Sequence, residues 1–494
     1  MTWDGIDYGW VFPAASILVA SIALLSLVTA FHALRHVRTS QAAVGWTVAL
    51  ITLPMIALPL YWVFARHRFE GYREAIREIG ERHQQSVRAV QNELQTAELA
   101  RSTQQQSALE QLADVLDTPI SRAQRAELLI DGQAFFEAVL SAISSASSYI
   151  YVAFYILRDD EIGRKFADAV IERARAGVQV RILYDEVGSI RLPRSYLSRL
   201  RAAGIDVNPF NTRQGWFNRF QINFRNHRKI VLVDGHTAIV GGLNVGDEYL
   251  GQGIDKPRWR DTGLLIEGPI TRKVQAVFAG DYYWAARHDL PEARWADTPT
   301  ASDRADVNDA FDPGNAVVCA TGPADSRPRA TMMFSSLAAS ARYRLWISTP
   351  YLVPDEPSLV ALHMARSRGV EVRILIPNHA DHWSVYLAGF HYAHELSEAK
   401  IPVYRYTGGF MHQKCILVDD ELALVGSTNL DNRSLYLNFE LMVAVQDTDF
   451  VREVHRMLKA DFAQAIETNS PHARARPWFE RVGTAIARLF SPIL

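Results

Sequence analysis

The spacing of apolar positions changes along this 494-residue chain, and each change predicts a different kind of element. Two apolar runs come first, Val11 to Leu34 and Ala42 to Ala65. The first is interrupted only by Ser, Thr, His32 and an early Pro13, and the second contains no charge. Each is long enough to cross a hydrocarbon core with some tilt. Tyr8 and Trp10 precede the first run, and Tyr61 and Trp62 close the second, where interfacial aromatics belong. The first run is too long for a secretory signal, and no small-x-small cleavage site precedes the second. Only RHVRTSQ lies between them, so the pair predicts a transmembrane hairpin over residues 1–66, with a second span kinked at Pro54 and Pro59 and both chain ends on one side.

From Glu70 to Leu116 the apolar face fades and Glu, Gln, Arg and Ala dominate, which predicts a solvated helical stalk within residues 67–125. Short β-rich runs then alternate with helical ones, the mark of α/β layering. The pattern occurs twice. In residues 126–292, SYIYVAFYI (148–156) leads to a helix from Ile162 and then to GVQVRILYD (177–185). In residues 331–470, RLWISTPYL (344–352) leads to a helix from Ser358 and then to GVEVRILIP (369–377). Further on, TAIVGGLNVGDEY (237–249) matches LALVGSTNLDNRS (422–434), aligning Gly242 with Ser427 and Asn244 with Asn429. RDTGLLI (260–266) matches FELMVAV (439–445), which sets Asp261 opposite Glu440. The fold class that follows is α/β: two alike lobes of mixed sheet flanked by helices, related by a pseudo-twofold axis. Residues 293–330 read as a linker, and 471–494 as an amphipathic C-terminal segment.

Composition narrows the partners. The formal net charge of -2 provides no global basic field, so nucleic acid is not an expected partner. Only seven of the 52 cationic residues are lysines; the arginines suit forked contacts to phosphate or carboxylate. Two cysteines, Cys319 and Cys415, make neither a disulfide framework nor a zinc site. Cys415 is expected to be a buried strand residue facing away from the neighbouring Lys414.

Two of those seven lysines lie in a pattern that occurs twice, His-x-Lys-x4-Asp: His227, Lys229 and Asp234 in NHRKIVLVD, and His412, Lys414 and Asp419 in MHQKCILVD. In an extended segment residues i and i+2 share a side, so each His and Lys form one face, and the apolar run that follows anchors the pair in a buried strand. If the lobes pack about a pseudo-twofold axis, both pairs converge on one cleft. Two imidazoles there can divide a two-step displacement at phosphorus, one attacking while the other protonates the leaving oxygen. Lysine and asparagine side chains stabilise the charge on the non-bridging oxygens. The scheme needs no metal and no other cofactor. A carboxylate is expected to orient each imidazole. Asp261 and Glu440 are favoured for that role, with Asp234 and Asp419 either catalytic or structural caps at the strand ends.

These residues resemble the phospholipase D superfamily, in which a twin HxKxxxxD motif occurs in a bilobal chain, and within it the bacterial cardiolipin synthases. The likeness extends to GW...LP...PLYWVFARHR, GGLNVGDEYLG, STPYLVPD, GSTNLDNRSLYLNFE and the closing RLFSPIL. It implies transfer of a phosphatidyl group between two phosphatidylglycerol molecules, giving cardiolipin and glycerol. It also implies that His227 and His412 act as nucleophile and acid/base, that Lys229 and Lys414 bind phosphate, and that Asn244, Asn429 and, on one side only, Ser427 support it. Membrane-bound phospholipid hydrolysis and phosphatidylserine synthesis are the rival activities.

A lipid substrate also fits the segment NTRQGWFNRFQINFRNHRK (211–229), where Arg213, Arg219 and Arg225 alternate with Trp216, Phe217, Phe220 and Phe224. In the closing segment Trp478, Val482, Ile486 and Leu489 or Phe490 make one helical stripe with Arg481 and Arg488 beside it, as in an interfacial helix. Anionic membrane lipid is therefore the expected partner, and the bacterial inner membrane the expected location, with multi-pass anchoring. The loop between the apolar runs holds Arg35 and Arg38, the segment after them holds Arg66, Arg68, Arg73 and Arg77, and the N-terminus holds no Lys or Arg. Four cations against two favour lobes on the cytoplasmic side.

Overall fold

The computed structural model describes residues 11–37, 40–65, 69–82, 106–210, 223–251, 258–293, 314–379 and 383–468, with the single position 484. The chain divides into a unit of Met1–Glu70 with Thr212–Phe224, and a unit of Gly71–Asn211 with Arg225–Leu494.

In the smaller unit, α1 (Val11–His36) is one continuous apolar helix. The second apolar run differs from the expected single span: it forms two helices, α2 (Ser40–Thr52) and α3 (Pro54–Phe64). Proline disfavours helical geometry in the residue before it and has no N–H to donate, and Leu53 accordingly leaves the helix at φ -134°, ψ 56°. Pro59, by contrast, sits inside α3 without ending it. From the aromatic-basic segment, Asn223 donates to the carbonyl of Val63 (3.3 Å) and Phe224 stacks on Phe69 at 5.3 Å. Residues 211–222 lie outside the described residues, as does the C-terminal stripe.

The larger unit holds both lobes. The first sheet contains β1 (Arg125–Ile130), β2 (Tyr149–Phe154), β3 (Gln179–Asp185), β4 (Asp206–Phe210), β5 (Ile230–Val233), β6 (Thr237–Gly241) and β7 (Thr262–Glu267), in the spatial order β1-β7-β6-β5-β2-β3-β4. The second contains β8 (Gly314–Thr321), β9 (Arg344–Ser348), β10 (Glu371–Pro377), β11 (Val403–Tyr406), β12 (Cys415–Val418), β13 (Leu422–Gly426) and β14 (Asn438–Gln446). Its order, β8-β14-β13-β12-β9-β10-β11, repeats the first strand for strand, with the short strands Ser121–Ala123 and Ala465–Glu467 added at its two edges. In each sheet the β-α-β part is parallel (β2-β3-β4 and β9-β10-β11) and the rest antiparallel.

Alternation along the strands explains the layering. Ile230 and Leu232 of β5 join Cys415 and Leu417 of β12 in one core shared by both lobes, together with residues of the helices Thr271–Ala286 and Thr448–Ala463. Val231 and Val233 point to the opposite face, under the outer helices of the first lobe. The two sheets thus pack through their inner faces, each with helices outside. Cys415 is fully buried there, and burial pushes its thiol up to about 12, so it is an inert core residue as expected.

Two domain boundaries shift. The expected stalk is helical over Glu70–Arg82, but Tyr72 and Ala75 are buried and Tyr72 donates to Asp281 (2.7 Å), so this helix is docked rather than solvated. The helix Ala108–Leu116 belongs to the second lobe, where Leu109, Leu112 and Leu116 are fully buried, each contributing roughly 1.5–3 kcal/mol. A capping box of Ser107 and Glu110 starts that helix. The expected linker 293–330 contains β8, which pairs with β14. Its polar, Asp- and Ala-rich stretch lies in residues 294–313, outside the described residues.

Candidate active site

Each motif histidine is held by the opposite lobe. Before the first motif, Arg225–Asn226 forms a two-residue strand that pairs in parallel with Asn438–Phe439, at the start of β14. The backbone N–H of His227 then donates to Phe439 O (2.9 Å), and its Nδ1 lies 3.1 Å from Glu440 Oε2. The second half repeats the arrangement. Phe410–Met411 pairs in parallel with Trp259–Arg260, the His412 N–H donates to Arg260 O (2.7 Å), and Nδ1 lies 2.7 Å from Asp261 Oδ2. With both carboxylates ionised, each Nδ1–H is the donor, which turns Nε2 to the chemistry; at His412 that nitrogen also lies 3.2 Å from Lys414 Nζ.

The lysines lie beneath the imidazoles, almost wholly buried. Lys229 Nζ donates to His227 O (2.6 Å), and Lys414 Nζ donates to His412 O while standing 2.8 Å from the Nδ1 of that ring. Burial pushes the Lys229 ammonium down to about 7, against the pull of Glu440 and with added repulsion from Lys414. Burial pushes the His227 imidazole down to about 4, with Glu440 opposing and both lysines assisting, so this ring is neutral at pH 7. Burial alone would raise both carboxylates. Instead Lys414 and His412 hold Asp261 below its ordinary range, and His227, Lys229 and Ser427 do the same for Glu440. Lys414 helps to hold the Lys229 ammonium down, and an anion arriving between the two relieves that repulsion and favours the protonated Lys229.

The carboxylates reach their places by different means. Glu440 accepts from Ser427 Oγ (2.6 Å), Ser434 Oγ (2.8 Å) and Asn438 Nδ2 (3.1 Å). Asp261 accepts from the N–H of Thr262 (2.8 Å) and fills the hollow left by Gly242, where a Cβ would stand 2.2 Å from Oδ1. This accounts for Gly242 where the second half has Ser427. Aromatic rings line both histidines: Tyr155 at 5.0 Å from His227, and Trp259 at 5.1 Å and Phe410 at 5.9 Å from His412.

Not every expected site residue converges. Asp234 and Asp419 stand at the far ends of β5 and β12, about 16 Å along the strand from the motif lysines. Asp234 accepts from the N–H groups of Ser147, Ser148 and Tyr149, each at 2.8 Å, and from the hydroxyl of Ser147. Asp419 accepts from those of Arg342, Tyr343 and Arg344 at 2.8–3.0 Å. Both adopt left-handed backbone, φ 53° and 52°. They staple the β5–β6 and β12–β13 turns to the first residues of β2 and β9, so of the two roles left open for them the geometry fits the structural cap. The hydroxyl of Ser427 is taken by Glu440 rather than aimed at a phosphate. Asn244 bridges Ile156 N (3.1 Å) and Tyr249 Oη (2.8 Å). Asn429 donates to Asp431 (3.1 Å), and its buried Oδ1 has no partner among the described residues.

A further layer lies behind the motifs: the alternation of an extended segment turns Arg228 and Gln413 away from the imidazoles, and only the aspartates they meet go beyond that expectation. Arg228 and Gln413, between His and Lys of each motif, point away from the imidazoles to buried aspartates on matching helices. Arg228 meets Asp281 (2.6 Å), which also takes Asn226 (2.9 Å). Gln413 meets Asp461 (2.9 Å), which is held by Arg260 from the other lobe (2.8 and 2.9 Å). The signal available in the sequence was an aspartate in each of the two helices that follow β7 and β14.

A family profile described as cardiolipin synthase, PLD-like domain, matches residues 139–281 and 335–462, one stretch in each lobe. Cardiolipin synthase A of Pseudomonas fluorescens is 41% identical over 486 residues, 97% of this chain and 98% of its own. Cardiolipin synthase A of Pseudomonas aeruginosa is 42% identical over 484 residues, 97% of this chain and 96% of its own. Among solved structures, phosphatidylserine synthase of Haemophilus influenzae Rd KW20 superposes with a TM-score of 0.59 at 15% identity, over 78% of this chain and 100% of that one, a likeness of fold alone.

Proposed function

The chain belongs to the cardiolipin synthase family, an enzyme of the phospholipid-modifying phospholipase D superfamily, and we propose that it moves a phosphatidyl group from one phosphatidylglycerol to another, releasing glycerol and forming cardiolipin. The observation that carries the reaction is the pair of cross-lobe dyads, His227–Glu440 and His412–Asp261, around two buried lysines. Nε2 of one imidazole attacks phosphorus, a P–N bond forms, and the P–O bond to the headgroup glycerol breaks as the second imidazole, protonated, gives its proton to the leaving oxygen. That second imidazole, now neutral, takes the proton of a primary hydroxyl on the incoming phosphatidylglycerol. The new oxygen displaces the histidine and completes the diester. Lys229 and Lys414 neutralise the non-bridging oxygens in both steps. Asp261 and Glu440 keep each proton on Nδ1.

The apolar α1 and the aromatic-basic segment support residence in the bacterial cytoplasmic membrane, among anionic lipids. The test is to incubate the purified protein with phosphatidylglycerol and resolve the products. Cardiolipin and glycerol in equal amounts are expected. Phosphatidic acid without cardiolipin would replace this reading with hydrolysis.

A further inference from the structure

The membrane unit has the geometry of one span and one half-span. In α2 and α3, Trp46 and Tyr61 are fifteen positions apart, which a continuous helix would separate by about 22 Å. Their rings instead meet at 5.4 Å. Tyr61 Oη also lies 2.7 Å from His32 Nδ1, and Trp62 stands 5.3 Å from the His32 ring. Ser26 of α1 donates to the carbonyl of Leu50. α2 therefore runs back along α1 from residue 40 to the middle of that helix, turns at Leu53, and α3 returns to the end where it began. Ala33, Leu50 and Tyr61 are the buried centre of this three-helix cluster. Residues Ala14–Ser21 of α1 extend beyond it and are exposed all round.

Lengths agree with this. α1, of 26 residues, is about 39 Å long and exceeds the hydrocarbon core of about 30 Å. α2 and α3, of 13 and 11 residues, reach only about 20 and 16 Å. A turn inside hydrocarbon is tolerated only where its backbone polar groups find partners within the protein. Here Pro54 has no N–H, Leu53 O accepts from the N–H groups of both Ile56 and Ala57, and the Ser26 hydroxyl caps Leu50 O. Thr47 and Thr52 fold their hydroxyls back onto Ala43 O and Val48 O. The tip is apolar and open, with Leu53 at 60%, Met55 at 76% and Ile56 at 59% exposure.

We infer that α1 alone crosses the bilayer and that α2–α3 is a re-entrant wedge whose apolar tip contacts the acyl chains of one leaflet, the leaflet on the side of the lobes. This rests on the membrane residence proposed above. It reverses the expected topology: the chain N-terminus lies across the bilayer from the lobes, while the connection between α1 and α2 lies on the same side as them. Charge supports it. A two-span hairpin divides six arginines two against four, whereas the wedge places Arg35, Arg38, Arg66, Arg68, Arg73 and Arg77 together and leaves no Lys or Arg before α1.

The full-length chain carrying Thr2→Cys, Gln41→Cys or Lys165→Cys, labelled with a membrane-impermeant maleimide in intact spheroplasts and after permeabilisation, tests this. Cys319 and Cys415 are buried and give no background in the folded protein. Labelling of the residue-2 cysteine in intact spheroplasts is expected, with the other two silent until permeabilisation. Labelling of the residue-41 cysteine alone from outside is the two-span result and overturns the wedge. All three on one side would mean that nothing crosses, and overturns it as well. Release of the protein by alkaline carbonate would instead refute the membrane residence on which the wedge stands.

Discussion

The two halves of the centre perform one task with different side chains. Around His227 the orienting group is a glutamate, reached by three side-chain donors that can each adjust: two hydroxyls that rotate and an amide that can turn over. Around His412 it is an aspartate, one methylene shorter, fixed by a backbone N–H and seated in the space a missing side chain leaves at Gly242. The buried acids behind the motifs differ in the same spirit. Asp281 is neutralised by Arg228 of its own lobe, Asp461 by Arg260 of the other. The two halves share one backbone frame and one imidazole-carboxylate-lysine arrangement, and each packs it differently. The lesson is that the half built from fixed partners is the less forgiving one.

That asymmetry sets the first prediction. In Asp261→Asn the Thr262 N–H keeps the amide oxygen on its side, so the NH2 faces His412 Nδ1 and imposes the wrong tautomer. A loss of kcat on the order of 10^3–10^4 is expected. In Glu440→Gln the rotatable donors allow the amide oxygen to turn toward His227, and the loss should be on the order of 10–10^2. Gly242→Ala should resemble Asp261→Asn, because the new Cβ displaces that carboxylate, whereas Ser427→Gly should resemble Glu440→Gln. Steady-state rates of cardiolipin formation decide it, and equal losses on the two sides would remove the distinction between the halves.

A smaller effect separates the motif aspartates from the dyads. Asp234→Asn and Asp419→Asn retain a residue that tolerates positive φ but weaken charge-assisted bonds to backbone N–H groups. Each should cost roughly 1–3 kcal/mol of stability, with kcat of the folded protein changed less than about twofold. Thermal unfolding in detergent beside activity at a permissive temperature measures both. A large kcat loss without a stability change would return these residues to the chemistry.

Much of this was legible in the chain. The twin motifs, the strand-helix-strand units and the alignment of Asp261 with Glu440 all stand in the structure. What local sequence does not carry is which lobe a side chain serves. Asp261 follows the first motif yet orients the second histidine, because Arg225–Asn226 and Phe410–Met411 each pair with a strand of the other half. Leu109, Leu112 and Leu116 carry a helical period that the surrounding Glu and Gln obscure, so composition alone does not separate this core helix from a stalk. At Pro54 the same proline signal fits a kink or a reversal, and only contacts such as Trp46–Tyr61 tell them apart.

In the proposed mechanism one histidine from each lobe serves a single covalent reaction. It is tested most directly by trapping the intermediate. Wild type, His227→Ala and His412→Ala are incubated with phosphatidylglycerol, quenched in base because a P–N bond is acid-labile, and digested for mass spectrometry. A phosphatidyl adduct is expected on one of the two histidines in wild type and none when that residue is Ala. Cardiolipin formation should fall on the order of 10^3 or more in both variants. Substantial turnover in either variant, or an adduct on any other residue, would contradict it.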